Sequence, residues 1–120
     1  MIERPDFAAI FGPDSQAEVP IVATLRGADG RSRVLSGQID RLVVRDGEVW
    51  VVDFKSNRPA PMLAAQVSAQ YLGQLEAYRR ALATLYANKE IRCFLLWTDG
   101  PRLMEIPAAM LDAHGTNPTP

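Results

Sequence analysis

Only one cysteine, Cys93, and one histidine, His114, occur in 120 residues. A lone cysteine excludes an intramolecular disulfide and any cysteine-built zinc site within the chain. Cys93 lies in Ile91-Arg92-Cys93-Phe94-Leu95-Leu96-Trp97, where it reads as a small apolar filler of a buried strand. His114 falls in the C-terminal tail, so without a usable histidine or an activated cysteine a nucleophilic triad has no members. A G-x-x-x-x-G-K-[ST] phosphate loop is missing, as is a dinucleotide fingerprint, and ATP-driven chemistry is therefore excluded from these residues. No apolar run approaches the roughly 20 residues that span a bilayer, and Met-Ile-Glu-Arg-Pro-Asp is no leader sequence, so a soluble, cytoplasmic protein is expected. Positive charge is not in excess either: 13 Lys and Arg stand against 14 Asp and Glu, for a net charge of −1. That balance argues against strong independent binding to phosphate backbones, so if a nucleic acid is the substrate, other parts of an assembly are expected to hold it. The basic residues are uneven, with Arg26, Arg31, Arg33, Arg41 and Arg45 early and Lys55, Arg58, Arg79 and Arg80 later. One positive face and scattered solvated charge both fit this pattern.

The chain is 48% hydrophobic and of a length that suits one compact domain. Residues 1–17, with Pro5, Gly12 and Pro13, show no sustained period and read as an irregular lead-in. The domain is expected over 18–113, followed by a flexible tail over 114–120. Val19, Ile21, Val22 and Thr24 suggest a first strand over 19–26, ended by Gly27-Ala28-Asp29-Gly30. A second strand runs from about Arg33 to Arg45, and the third, Glu48 to Lys55, is apolar on both faces and should be central. Two prolines interrupt the chain at Pro59 and Pro61, after which Val67, Tyr71, Leu75, Tyr78, Leu82 and Leu85 mark a long amphipathic helix over about 64–86. Ile91 to Trp97 gives a fourth strand, Asp99-Gly100-Pro101 a turn into a short strand over 102–106, and 108–113 a brief helix. An α/β fold follows, a small mixed sheet with the long helix packed on it.

The chemistry sits at one hairpin. Asp46-Gly47 is the dipeptide favoured in a two-residue type I′ loop, and it sets the register of strands two and three. With Arg45 opposite Glu48, Leu42 faces Val51 and Asp40 faces Asp53. Opposed side chains have Cβ atoms about 4.5–5.5 Å apart, where like charges repel. Lys55 points to the same face as Asp53 and lies diagonally from Asp40. Hard oxygen donors at this spacing suit Mg²⁺ completed by waters and substrate phosphate, and a backbone carbonyl near Phe54 is a further donor. An ordinary charged cluster, with either aspartate paired to Lys55 or Arg41, stays open on spacing alone, as does a carboxyl pair sharing one proton.

Gly37-Gln38-Ile39-Asp40-Arg41-Leu42, Val51-Val52-Asp53-Phe54-Lys55-Ser56-Asn57-Arg58 and Gln74-Leu75-Glu76-Ala77-Tyr78-Arg79 together resemble the C-terminal nuclease module of AddA/RecB-type helicase-nuclease subunits, within the PD-(D/E)XK nuclease superfamily. The likeness runs from about Glu18 to Pro107; a bare D-x-K is weak, but the ordered series is specific. It implies a restriction-endonuclease-like core in which Asp40 and Asp53 bind the metal, the Phe54 carbonyl assists, and Lys55 is the catalytic lysine. It further implies that Gln74 and Tyr78 form a Q-x-x-x-Y element. Four residues apart on one helix, these two share a face. A core tyrosine and a backbone-satisfied amide describe the same pair. Relatives often carry an acid near Glu18, for which a surface carboxylate is the simpler reading. Arg41 and Arg58 are placed to meet phosphate or to act as counter-ions of the aspartates. The family's N-terminal helix, usually the source of a histidine ligand, has no counterpart in residues 1–17, so a fragment of a larger protein, possessing little activity alone, is expected.

The implied activity is Mg²⁺-dependent exonucleolytic hydrolysis of DNA during repair of double-strand breaks, with Mn²⁺ or Ca²⁺ able to replace Mg²⁺ in binding. The implied partners are DNA ends and unwound single strands, the helicase portion of the same parent chain, and a second subunit of AddB type, without a membrane. The competing expectation is a non-catalytic nuclease-like module that binds DNA or a partner subunit.

Overall fold

Gly47 lies at φ 80°, in the left-handed region that glycine adopts without a Cβ penalty, and it closes a two-residue loop between Arg45 and Glu48. The computed structural model describes residues 10–27, 29–56, 60–98 and 102–115. Asp46 is not among the residues with positive φ, so the loop is not the expected type I′, which needs both central residues there. Loop length, rather than turn type, sets the register. Leu42 pairs with Val51 and Arg41 with Val52, as anticipated from the sequence.

The strands are β1 (Ser15–Arg26), β2 (Ser32–Arg45), β3 (Glu48–Lys55), β4 (Glu90–Trp97) and β5 (Arg102–Ile106), adjacent in that order in one sheet. β3 is central, with Val49, Val51 and Val52 fully buried, because its apolar run must be covered on both faces. It runs parallel to β4 and antiparallel to β2, so the sheet is mixed. The crossover between β3 and β4 carries helix α1 (Ala69–Leu85). α1 packs Leu72, Leu75, Tyr78 and Leu82 against Ile21, Ile39, Val51 and Leu95 of the sheet. On the opposite face Val43, Trp50, Val52, Phe94, Leu96 and Leu103 form a second cluster together with Ile10. Cys93 lies in the core on the α1 side, and burial pushes its thiol up to about 12, as befits an inert filler.

Two expected boundaries move. β1 starts at Ser15 rather than Val19, and the long helix is interrupted. Ala64–Gln66 is a single 3-10 turn, Val67 is extended (φ −72°, ψ 140°), and α1 begins after Ser68, whose hydroxyl accepts the Tyr71 N–H at 3.3 Å. A serine cap satisfies a first-turn donor and so offers the chain a starting point that apolar spacing does not reveal. Helix α2 (Ala108–Gly115) closes the described chain and includes His114, whose side chain lies outside the described residues. Arg79 fastens α2 to α1: its Nε is 2.9 Å from Glu76 Oε1, and its guanidinium pairs with Asp112. No helix of the described residues is long and apolar enough to cross a membrane.

β1 and β2 pair over almost their whole length, whereas β2 meets β3 only from Arg41 to Arg45. Past Asp40, the hairpin therefore leaves the sheet as a two-stranded ribbon. The break is visible in the pairing: the Ala17–Arg41 and Val19–Ile39 pairs form, but no pair forms between Glu18 and Asp40. Ile39 faces the α1-side core while Val43 faces the opposite cluster, so the alternation of faces slips between them. Glu18 absorbs the distortion at φ 54°, the one left-handed non-glycine residue among those described. Replacing Glu18 by glycine should relieve this strain and raise stability by about 0.5–1 kcal/mol. A loss of stability by chemical denaturation would show that the strain is not stored at this residue.

Candidate metal centre

The fork between β2 and β3 brings the predicted residues together. Asp40 occupies the last position before β2 diverges, and its Oδ2 accepts the Phe54 N–H at 2.8 Å, in place of the ladder hydrogen bond that β2 no longer makes. Across the strand, Asp53 is 6% exposed. Burial first, then a hydrogen bond shared with Asp40, push the Asp53 carboxyl up to about 6, against the opposing pull of Lys55. The ladder stops at Arg41–Val52, one position short of the expected Asp40–Asp53 pair, yet the two carboxyl groups still meet through the hydrogen bond they share.

Lys55 offsets the repulsion. Its Nζ is 2.8 Å from Asp53 Oδ2 and donates to Gln74 Oε1 at 3.3 Å. The ammonium also sits 4.2 Å from the centroid of the Tyr71 ring, a cation–π contact. Gln74 Nε2 in turn donates to the Tyr78 hydroxyl at 3.4 Å, and that hydroxyl donates to the Gln38 carbonyl at 3.4 Å. A chain of polar contacts thus runs from Asp53 through Lys55, Gln74 and Tyr78 back to β2, two residues before Asp40. Gln74 is exposed rather than a buried amide, while Tyr78 is core with its hydroxyl turned to the ribbon.

Tyr71 was hidden among the apolar positions of the helix, although it stands three residues before Gln74 and so on the same face. Gly37 is a second participant with a concealed role. A Cβ built there would lie 2.7 Å from the Tyr78 hydroxyl oxygen, so the glycine is needed for close approach rather than for a turn.

Other expectations distribute differently. Arg41 pairs with neither aspartate; its guanidinium lies 5.0 Å from the centroid of the Phe11 ring and donates to Ser15 Oγ at 3.3 Å. Arg45 stacks over Trp50. Glu18 is exposed beside Asp40, and Arg58 lies outside the described residues. Of Phe54 the structure shows the N–H at work, on Asp40.

The donor set fits a divalent cation. Asp53 Oδ2 is buried and, apart from the Lys55 ammonium, has no hydrogen-bond partner among the described residues. An acidic pair whose buried Asp53 Oδ2 is met by the Lys55 ammonium alone matches a hard cation that completes its shell with waters and substrate. Among the described residues no group of three or more His, Cys, Asp or Glu gathers, so two carboxylates are the protein's charged donors here.

With this arrangement in view, the mixed five-stranded sheet carrying an acid pair and a lysine at its fork defines a nuclease-type core. The chain belongs to the PD-(D/E)XK nuclease superfamily, whose family model matches residues 6–112. Membership suggests phosphodiester hydrolysis of nucleic acid, and such nucleases typically use a divalent metal. No curated protein matches the chain. Among solved structures it is similar to the crystal structure of SSO0001, with a TM-score of 0.49 and 17% identity over 82% of this chain and 46% of that one. The chain thus spans under half the length of that structure.

Proposed function

We propose that the chain is the DNA-hydrolysing domain of a double-strand-break repair helicase-nuclease of the AddA/RecB type, acting as a Mg²⁺-dependent exonuclease. The observation that carries this reading is the meeting of Asp40, Asp53 and Lys55 at one strand fork, with Gln74 holding the lysine. Asp40 and Asp53 would hold the metal, with the Phe54 carbonyl as a further donor. When bound there, a divalent cation supplies Lewis-acid polarisation of a phosphoryl oxygen and a water of lowered pKa.

The chain's own residues supply the rest. Lys55 presents a fixed positive charge to the phosphate, where negative charge grows as the bond to the attacking oxygen forms. Gln74 and the Tyr71 ring hold that ammonium in place, so little reorganisation is needed at the moment of reaction. Tyr78 ties α1 to β2 and keeps Gln74 aimed at Lys55. The sequence series G-x-I-D-R-L, V-D-F-K-S-N-R and Q-x-x-x-Y supports the helicase-nuclease context, with a helicase portion in the same parent chain and an AddB-type second subunit as partners.

Calorimetric titration with Mn²⁺ and degradation of linear DNA test the assignment together. Mn²⁺ should bind the wild type and fail to bind Asp40→Ala. DNA should be degraded with Mg²⁺ and not with EDTA, and Lys55→Ala should cut about 10²–10³-fold more slowly while still binding metal. Cleavage that survives EDTA, or equal Mn²⁺ binding by Asp40→Ala, would overturn it. DNA binding without any metal-dependent cutting would favour a non-catalytic module.

A further inference from the structure

The ribbon formed by residues 19–26 and 32–39 ends in three arginines, Arg26, Arg31 and Arg33, whose guanidinium groups meet no acid among the described residues. Arg26, Arg31 and Arg33 are exposed, and no hydrogen bond, ion pair or ring contact of their side chains occurs among the described residues. Several other described arginines have a charged or aromatic partner. Arg79 meets Glu76 and Asp112, Arg92 meets Glu48 and Glu105, and Arg41 and Arg45 each lie over an aromatic ring. Between residues 19 and 39 the one acid is Asp29, and its carboxylate accepts the Arg31 N–H at 2.9 Å rather than neutralising a guanidinium. In a chain of net charge −1, this concentration is a local reversal of sign.

The ribbon carries the arginines to the far end of the sheet, where it still leans on α1. Its inner face packs Ile21 and Ile39 on the α1-side core, and Arg80 of α1 donates to the Arg26 carbonyl at 2.6 Å, bracing the far end. Pro20, Val22, Thr24, Val34, Ser36 and Gln38 on the outer face are exposed and uncharged, with Val22 and Val34 74% and 71% accessible. Seven or eight residues at about 3.3 Å each put the tip on the order of 25 Å from Asp40.

We infer that this arm is a second nucleic-acid contact, in which Arg26, Arg31 and Arg33 grip the sugar-phosphate backbone of duplex DNA beyond the bond being cut. Guanidinium forks match phosphate oxygens bidentately, and a two-stranded ribbon with an uncharged, narrow face fits the major groove. The inference rests on the nuclease reading, and it adds a length requirement. About 25 Å corresponds to about seven base pairs at about 3.4 Å each, so only a duplex longer than that reaches the tip.

Fluorescence anisotropy with fluorescein-labelled duplexes of two lengths, one shorter and one well longer than this reach, tests it on the protein carrying Arg26→Gln, Arg31→Gln and Arg33→Gln together. The triple variant should bind the long duplex at least about tenfold more weakly, with the slope of log K against log salt reduced by about 2–3. Affinity for the short duplex should stay as in the wild type, and so should the thermal midpoint, because all three side chains are exposed. Unchanged affinity and slope on the long duplex would overturn the inference and point instead to a protein partner for the arm. An equal loss on both lengths would overturn it too, as would a loss confined to single strands. Should the wild type bind DNA with this length dependence yet never cut it with Mg²⁺, the nuclease reading fails and the arm stands. A triple variant that both binds and cuts as the wild type does reverses that outcome.

Discussion

Asp53→Asn should stop cleavage and, without metal at pH 8, make the protein more stable. Asp53 is buried in the fold, and its carboxyl is pushed up to about 6 from an ordinary value of 3.8, by burial first and by Asp40 second, with Lys55 opposing. The native state therefore holds its proton more tightly than the unfolded chain does. The stabilisation associated with the protonated group is complete below about pH 4 and is lost as pH rises through about 6. Above that, the ionised carboxylate costs the fold on the order of 2–3 kcal/mol relative to the neutral acid. Asparagine keeps the shape and removes the charge, so a gain of about 1–2 kcal/mol is expected at pH 8, after allowing for the lost Lys55 ion pair. For a domain of this size the melting temperature should rise by several degrees at pH 8, and the gain should fade towards pH 4. Mg²⁺ should stabilise the wild type alone and narrow the difference, because the proposed metal-binding pair is intact only there. Cleavage should fall by at least about 10²–10³-fold. A variant less stable than the metal-free wild type at pH 8 would show that Asp53 is held by interactions stronger than its burial cost.

That trade-off rests on a register legible in the sequence. Asp46-Gly47 could be recognised as a two-residue loop, and from it the pairing of Leu42 with Val51 follows by counting alone, because side chains in a sheet have a strict period of two. The turn type was not legible. Gly47 alone takes positive φ, and a hairpin tolerates more than one backbone solution provided the loop length holds. The central place of β3 followed from its apolar run, but the slip of faces between Ile39 and Val43 had no local signal. It arises from the competition between two partners, β1 and β3, for opposite edges of β2. Asp40 is positioned by that competition: its carboxylate turns to the Phe54 N–H because the ladder has ended there. The start of α1 is concealed for a simpler reason. Apolar spacing continues back to Val67, while the serine at position 68 supplies the cap. The chain of contacts from Lys55 to Gln74 to Tyr78 likewise depends on how α1 crosses the sheet, which helix periodicity leaves free.

Gly37→Ala should damage the site from a residue that touches no substrate. Its added Cβ would fall 2.7 Å from the Tyr78 hydroxyl oxygen and 3.2 Å from Cε1. Gly37 does not have positive φ, so alanine fits the backbone there and the whole effect comes from space. Tyr78 is 4% exposed and cannot swing aside into solvent without opening the α1-side core. A cost of about 1–3 kcal/mol is expected. Displacing the hydroxyl also frees Gln74, and with it the acceptor that fixes the Lys55 ammonium, so kcat should fall more than the affinity for DNA. Tyr78→Phe alone removes the hydrogen bonds to Gln74 and the Gln38 carbonyl and should cost about 1 kcal/mol. In the double variant the nearest clash is gone, while the ring carbons remain close. The combined loss of stability should therefore be smaller than the sum of the single losses by about 0.5–1 kcal/mol, measured by denaturant unfolding of all four proteins. Strict additivity would mean that Gly37 and the Tyr78 hydroxyl do not meet, and the close approach of α1 to the ribbon would lose its explanation for the glycine that stands three residues before Asp40.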